Sequence, residues 1–250
     1  MFYGVPAGKE KDLQQALNAL EGIYTGQLYA NDMLICLWRN LSFRLDGKFI
    51  SCFNEIATND QERSLIWRLH TLVWAAKSAL NVEGDFVECG VFKGFCSSVL
   101  LSYLDFQDLP RQAYLYDTFA GLPEKTSTEQ ERLNWDYTHY DAEAIYNGVC
   151  ERFSKFGNVH IVRGIVPDSF AVAVPEKIAF LHIDMNSETA EMLALENLFD
   201  RVTPGGMIVF DDFGWSCNVN QMRAEYEFMS KRGHYVLELP TGQGVVIKHA

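Results

Sequence analysis

The sequence is short of several things, and each shortage removes a class of function. There is no C-x-x-C pair, and the six cysteines (Cys36, Cys52, Cys89, Cys96, Cys150 and Cys217) are too sparse for a disulfide scaffold in 250 residues. Cys89 falls inside an apolar strand pattern and reads as a reduced core residue. Basic residues are the minority. Twenty-one Lys and Arg against 33 Asp and Glu give a net charge of -12. Such a surface repels phosphate backbones and anionic membranes, so neither nucleic acid nor a membrane is the expected partner. No apolar run approaches the ~18 residues of a transmembrane helix. No basic stretch followed by an apolar run opens the chain, so no signal peptide is expected and a cytoplasmic location is the default. No internal repeat or low-complexity tract is present. With 48% hydrophobic and 22% charged residues, the chain can bury a sizeable core, which excludes a mainly disordered protein.

What is present is an alternation of strands and helices. Lys9 to Leu20 has leucines on one side of a helix, and Tyr29 to Leu45 reads as one or two further helical pieces. Ser64 to Leu80 carries Leu65, Leu69, Leu72, Val73, Ala76 and Leu80 at helical spacing. Residues 1–80 thus form a helical N-terminal extension that packs on the core, lids it, or joins two copies in a homo-oligomer. From Gly84 the pattern changes. Strands are expected at Asp85–Cys89, Ala113–Tyr116, Val159–Val162, Ile178–Ile183 and Met207–Phe210, with Pro204-Gly205-Gly206 as a turn. Helices intervene, and Tyr235–Leu239 with Val245–Lys248 close the chain as a hairpin. The fold class is therefore α/β, with a doubly wound, mostly parallel seven-stranded sheet and an antiparallel C-terminal edge hairpin over 81–250. An insertion at about 121–150 holds Trp135, Tyr137, His139 and Tyr140. It is either a cover over the active face or a surface helix with aromatic packing.

In an open α/β sheet, ligands bind beyond the carboxyl ends of the strands. The residues expected there are Glu88, Asp117, Gly164, Asp184, Asp211 and Asp212. The first loop, Glu88-Cys89-Gly90-Val91-Phe92-Lys93-Gly94, has glycines four apart, which permits a tight turn and close backbone approach to a ligand. It lacks the full dinucleotide fingerprint and the Lys-Ser/Thr of a phosphate loop. Glu88 would repel a pyrophosphate, which argues against a nicotinamide-dependent oxidoreductase. It suits a cofactor with cationic or hydroxyl groups, such as S-adenosylmethionine, and Asp117 is placed to accept two ribose hydroxyls. The competing reading gives Gly90 and Gly94 to the turn alone.

Asp184, Asp211 and Asp212 end neighbouring strands, so three carboxylates meet on one rim. Without a cation they would repel one another. An all-oxygen set suits Mg²⁺, with water or substrate hydroxyls completing six ligands, and no His or Cys cluster points to zinc. The alternative is that one or two of them cap helices.

Four blocks in order give this pattern a family resemblance. They are Asp85 to Gly94, Leu115-Tyr116-Asp117-Thr118-Phe119-Ala120-Gly121-Leu122-Pro123, His182-Ile183-Asp184, and Pro204 to Phe213. The chain from about Arg63 onward resembles the class I S-adenosylmethionine-dependent O-methyltransferases, and among them the macrocin and novobiocin-type sugar O-methyltransferases. The resemblance implies a Rossmann-like domain and Mg²⁺-assisted methyl transfer to a hydroxyl, with a glycosylated natural product as the family-level acceptor. It places the cofactor at Glu88, Gly90, Asp117 and Gly164, and the metal at Asp184, Asp211 and Asp212; Gly94 in the first loop, Phe119 beside the ribose acid and Asp184 are the further candidate cofactor contacts.

The sequence departs from the family at one place that matters. The family pattern His-Ile-Asp-x-Asp-x-Tyr carries its proposed base at the second Asp. Here the run is His182-Ile183-Asp184-Met185-Asn186-Ser187-Glu188. Asn186 cannot take a proton at neutral pH. Three readings follow: Glu188 replaces the base, with His182 and His139 as weaker candidates; the metal acidifies the hydroxyl unaided; or transfer has been lost and the protein only binds cofactor. A catechol-like or phenolic acceptor would suit the metal-only case, because its hydroxyl is more acidic. Trp135, Tyr137, His139 and Trp215 are the candidate acceptor contacts, since aromatic faces stack on sugars and arenes alike.

Overall fold

The computed structural model describes residue 2 and residues 5–250. Its contacts divide the chain into two compact units, Met1–His70 and Thr71–Ala250. Among the described residues, no helix is long and apolar enough to cross a membrane.

The first unit opens with α1 (Glu10–Ile23). It then departs from the expectation of helix over Tyr29 to Leu45. Strands β1 (Leu28–Asn31) and β2 (Leu34–Leu37) form an antiparallel hairpin instead, with Leu28 opposite Leu37 and Asn31 opposite Leu34. Asp32 and Met33 both take positive φ, 50° and 59°, as a two-residue hairpin turn of the primed type demands. The Arg68 guanidinium grips the Asp32 carboxylate in a fork, with Nε to Oδ2 at 3.0 Å and Nη2 to Oδ1 at 3.2 Å, both side chains buried. Helices α2 (Gly47–Ile56) and α3 (Asp60–Ser64) follow. Asp46 and Asn59 cap them by accepting the N–H groups of Phe49 and Glu62. The core of this unit is aromatic: Phe43, Phe49, Phe53 and Tyr29 are buried, and Trp67 packs on Tyr29 and Phe43.

Helix α4 (Ile66–Ala79) carries the chain into the second unit. There the elements are β3 (Asp85–Cys89), α5 (Phe95–Tyr103), β4 (Ala113–Asp117), α6 (Glu129–Asn134), α7 (Ala142–Phe153), β5 (Val159–Arg163), β6 (Ile178–Ile183), α8 (Glu188–Leu198), β7 (Val202–Phe210), α9 (Val219–Ser230), β8 (Leu237–Glu238) and β9 (Gly244–Ile247). The seven-stranded sheet has the order β5-β4-β3-β6-β7-β9-β8. The first five are parallel, and β9 and β8 are antiparallel at the edge, as the sequence pattern implies. Every residue of β6, Ile178-Ala179-Phe180-Leu181-His182-Ile183, is buried, as expected of a central parallel strand.

The turn expected at Pro204-Gly205-Gly206 is not a break. These residues lie within β7 as a bulge: Val202 pairs with Ile178, but the next pair is Met207 with Phe180. Gly205 N–H donates to the Lys248 carbonyl and Lys248 N–H to that of Gly206, so the bulge stays tied to the chain end. The segment 121–150 holds a 3₁₀ turn at Glu124–Thr126, α6, and the first part of α7, which Asp141 caps.

Candidate active site

Strand order reverses at β3, where β4 and β5 lie to one side and β6 and β7 to the other. That switch point opens a crevice at the carboxyl ends of the strands. A cavity of about 170 Å³ occupies it, with Asp117, Phe119, Gly164, Asp184 and Asn186 among the residues of its wall. Three bulky or polar residues on its wall, Phe92, Phe119 and Asn186, sit at φ of 47°, 56° and 55°. Non-glycine residues pay a cost of order 1 kcal/mol there, and such strain gathers at binding sites.

The glycines of the first loop have separate duties. Gly90 lines the cavity at φ +93°, and a Cβ built on it would lie 1.8 Å from the Asp184 carbonyl oxygen. Gly94 starts α5 in the left-handed region, against the Phe153 ring, and is not on the cavity wall. Gly164, at φ +157°, lines the cavity beyond β5. The Asp117 carboxylate binds loop backbone: Oδ2 accepts the N–H groups of Val91 and Phe92, both at 2.7 Å, and Oδ1 accepts that of Phe119 at 2.6 Å. A carboxylate offers about four acceptor positions, so capacity remains toward a ligand.

Glu88 lies behind this surface rather than on it. It is 4% exposed, accepts a short hydrogen bond from Ser97 Oγ, and stands 2.9 Å from His182 Nδ1. Glu88 and His182 are register partners on β3 and β6. The far ring nitrogen, Nε2, is 3.5 Å from Asp211 Oδ1. Burial pulls the His182 pKa down, but the carboxylates of Asp211 and Glu88 outweigh it and hold the ring well above its ordinary value. Gln243 Nε2 donates to Asp211 Oδ1 at 2.9 Å, and Thr241 in turn donates to Gln243.

Of the three aspartates expected at the rim, Asp184 and Asp211 come together, with His182 rather than Asp212 as the third member. Ligand atoms of His182, Asp184 and Asp211 lie within 4.8 Å of one another, and Asp212 is buried beside Asp211 in the chain. His182 Nδ1 is engaged by Glu88, while its buried Nε2 has no hydrogen-bond partner among the described residues and stands 3.5 Å from Asp211 Oδ1, so the atoms that could face a cation are those of Asp184, Asp211 and this nitrogen. Two aspartates with water or substrate oxygens fit a hard divalent ion, which commonly takes only one or two protein carboxylates. Beneath them lies a second acidic pair. Glu191 Oε1 accepts the Met185 N–H at 2.9 Å, and Glu191 and Glu225 are fully buried side by side. Burial raises the pKa of both; Glu225 then raises Glu191 further, while a hydrogen bond with Glu191 opposes and the Asp212 charge adds to the rise of Glu225 to about 7. Sequence patterning misses this pair because each Glu falls singly within an otherwise ordinary helix.

The remaining expected residues separate into two groups. Asn186 and Tyr137 line the cavity, and the buried Asn186 Oδ1 has no hydrogen-bond partner. The Tyr137 phenol is held above its usual pKa by burial and then by Asp184, Asp212 and Asp117. Glu188, Trp135, His139 and Trp215 are not on the cavity wall. Trp135 Nε1 reaches Asn218 Oδ1 at 3.4 Å, His139 packs on the outer Tyr140, and the Trp215 indole abuts Gly242. The Glu188 N–H donates to Glu131 Oε1 at 2.8 Å, and Glu131 Oε2 accepts from Thr128 N–H and Oγ1 in a capping box at the start of α6. Ser187 Oγ donates to the Thr126 carbonyl. Phe92, Ile165 and Val166 also line the wall, and as single apolar residues in the loops after β3 and β5 they give no separate sequence signal.

Comparison with known proteins agrees with this architecture. The family model described as Macrocin-O-methyltransferase (TylF) matches residues 66–234. Mycinamicin III 3''-O-methyltransferase of Micromonospora griseorubida is 29% identical over 181 residues, spanning 66% of this chain and 69% of that protein. The 8-demethyl-8-(2,3-dimethoxy-alpha-L-rhamnosyl)-tetracenomycin-C 4'-O-methyltransferase of Streptomyces olivaceus is 29% identical over 156 residues, spanning 58% of this chain and 60% of its own length. The solved structure of the O-methyltransferase NovP superposes with a TM-score of 0.64 at 19% identity, covering 95% of this chain and 99% of that one, which supports the fold. A strand order that reverses at a Gly90–Asp184 contact, an acid at the end of β4 and a match over most of the chain converge on one answer: this enzyme belongs to the macrocin O-methyltransferase family.

Proposed function

We propose that the protein transfers a methyl group from S-adenosylmethionine to a sugar hydroxyl of a glycosylated natural product, with Mg²⁺ at the acceptor oxygen. The observation that carries this reading is the single crevice joining Asp117 to Asp184 across the switch point. Asp117 accepts the ribose hydroxyls, while Gly90 and Gly164 let the cofactor approach the backbone. Phe119, Ile165 and Val166 give the base an apolar wall. Glu88 and Gly94 act from behind this surface, Glu88 by adding negative potential under the loop and Gly94 by shaping the start of α5. Asp184 and Asp211 would hold the metal, beside His182; Asp212, the third aspartate of the family pattern, is not part of that group. A magnesium ion there would supply Lewis-acid polarisation of the acceptor hydroxyl. The chain's own part is to fix that oxygen in line with the methyl group, so that proximity supplies much of the rate. Asn186 orients the acceptor through its amide and takes no proton. Tyr137 offers a neutral phenol to the acceptor side. The free thiols of all six cysteines accord with a reducing, cytoplasmic setting.

Calorimetry and an activity assay test this together. S-adenosylhomocysteine should bind and NAD should not, and glycosides should be methylated faster than catechols, with activity abolished by excess chelator. Nicotinamide binding alone, or full activity in chelator, would overturn the class or the metal respectively. A second reading, a cofactor-binding homologue without transfer, is favoured by one observation, the amide of Asn186 at the family's base position. Binding of S-adenosylhomocysteine without turnover on a broad acceptor panel would select it.

A further inference from the structure

The cavity wall carries a cluster of aromatic rings of which the reading above uses only the Tyr137 hydroxyl. Phe92 comes from the loop after β3, and Tyr137 and Tyr140 come from the segment between α6 and α7. The ring centroids are 5.4 Å apart for Phe92 and Tyr137, 5.2 Å for Phe92 and Tyr140, and 6.3 Å for Tyr137 and Tyr140. All three line the cavity. Phe92 is held at φ +47°, a backbone conformation unfavourable for a bulky side chain, so the fold maintains strain where this ring is presented. The rings already engage one cation: Lys93 Nζ stands 5.0 Å from the Phe92 centroid and 4.4 Å from that of Tyr140. Tyr137 shares the wall of one cavity with Asp117 and Asp184, the residues that the reading above gives to donor and acceptor.

The methyl donor changes charge at its sulfur and nowhere else. Its sulfonium is positive before transfer. When the acceptor oxygen uses a lone pair to form the new C–O bond, the S–CH₃ bonding pair stays on sulfur, which becomes a neutral thioether. The hydroxyl proton leaves to solvent or a base. The adenosine and amino-acid portions are common to both states, so only a group that senses the sulfonium can tell them apart. Aromatic faces do so, because the ring quadrupole attracts a cation and gives nothing comparable to a thioether. Resting on the methyl-transfer reading, we propose that Phe92, Tyr137 and Tyr140 form an aromatic cage for the sulfonium, adding affinity for the charged donor that the demethylated product does not receive.

Calorimetric titration of the full chain, without acceptor, tests this with S-adenosylmethionine and S-adenosylhomocysteine as the two probes. The quantity to follow is the ratio of their affinities. Tyr137→Leu should shift that ratio against S-adenosylmethionine by about 3- to 10-fold, what one cation–π contact contributes. Tyr137→Phe should leave it unchanged, because the ring remains. Tyr140 is more exposed, and Tyr140→Leu gives an independent variant that should shift the ratio in the same direction if Tyr137→Leu does not fold. Equal weakening of both ligands, or no change in either, would overturn the cage and reduce the rings to packing. A wild-type chain that binds neither probe would overturn the methyl-transfer reading along with it.

Discussion

Gly90 and Asp184 touch through their backbones: a single methyl group added at Gly90 would fall 1.8 Å from the Asp184 carbonyl oxygen. The contact joins the carboxyl ends of β3 and β6, where the Asp184 N–H donates to the Cys89 carbonyl at 2.8 Å. Close approach is therefore built into the crossing, and with φ at +93° no other residue type satisfies both demands. Gly90→Ala should destabilise the second unit by more than about 3 kcal/mol and abolish S-adenosylhomocysteine binding. A urea midpoint within error of wild type would contradict the contact.

The base position yields a second expectation. Glu188 is not on the cavity wall, and its backbone N–H is tied to Glu131. Glu188→Gln should therefore leave turnover nearly unchanged. Asn186 does face the cavity, in a left-handed conformation that Asp tolerates. Asn186→Asp should raise turnover on a sugar hydroxyl toward the ~10²-fold that a positioned base supplies. On a phenolic acceptor, whose pKa is near ~10, the gain should be small. Steady-state rates on one acceptor of each kind decide the matter, and a large loss from Glu188→Gln would return the base to that residue.

The buried acidic pair sets a pH dependence of stability. Burial raises the Glu225 pKa from 4.5 to about 7, with Asp212 adding to the effect and a hydrogen bond from Glu191 opposing it. The folded protein thus keeps a proton that the unfolded chain has released, so this group's contribution to stability falls as pH rises from about 4.5 to about 7. Glu225→Gln removes that loss. Relative to wild type, the variant should gain stability between pH 5 and pH 8 by at most about 3 kcal/mol. Denaturation midpoints at the two pH values measure it, and a constant difference would place the proton elsewhere.

The Arg68–Asp32 fork is the electrostatic tie of the first unit. Breaking a buried pair by removing one partner costs about 3–5 kcal/mol. Arg68→Ala should open the hairpin, and limited proteolysis should then cut within 28–45. Resistance equal to wild type would show that the aromatic cluster alone holds this unit.

Much of the sheet was legible in the sequence because buried parallel strands are short apolar runs that end abruptly. Asp85–Cys89 and Ile178–Ile183 keep both expected bounds. The hairpin at Leu28–Leu37 was not legible. Its turn is Asp32-Met33, without the glycine that usually marks positive φ, and Tyr29, Ala30, Ile35 and Cys36 read equally well as helix. The candidate site was legible in its residue types and less so in their orientation. Glu88 was expected toward a ligand, but its register partner is His182, which draws the carboxylate sideways into the sheet. Trp135 lies within the insertion and Trp215 three residues beyond Asp212, but that nearness in sequence does not aim a ring, and their indoles pack on Asn218 and Gly242.

Glu131 closes two helices with one carboxylate, accepting the Thr128 N–H at the start of α6 and the Glu188 N–H at the start of α8. The first turn of the insertion and the first turn beyond Asn186 therefore share a fastening. Each N–H uses its own oxygen of that carboxylate, so it is displacement of the Glu131 side chain that removes the acceptor from both at once, and such an event should expose the amides of residues 128 and 188 together in hydrogen exchange. Local melting of the segment that borders the crevice would then loosen the loop beneath it in the same event, while the sheet behind stays closed.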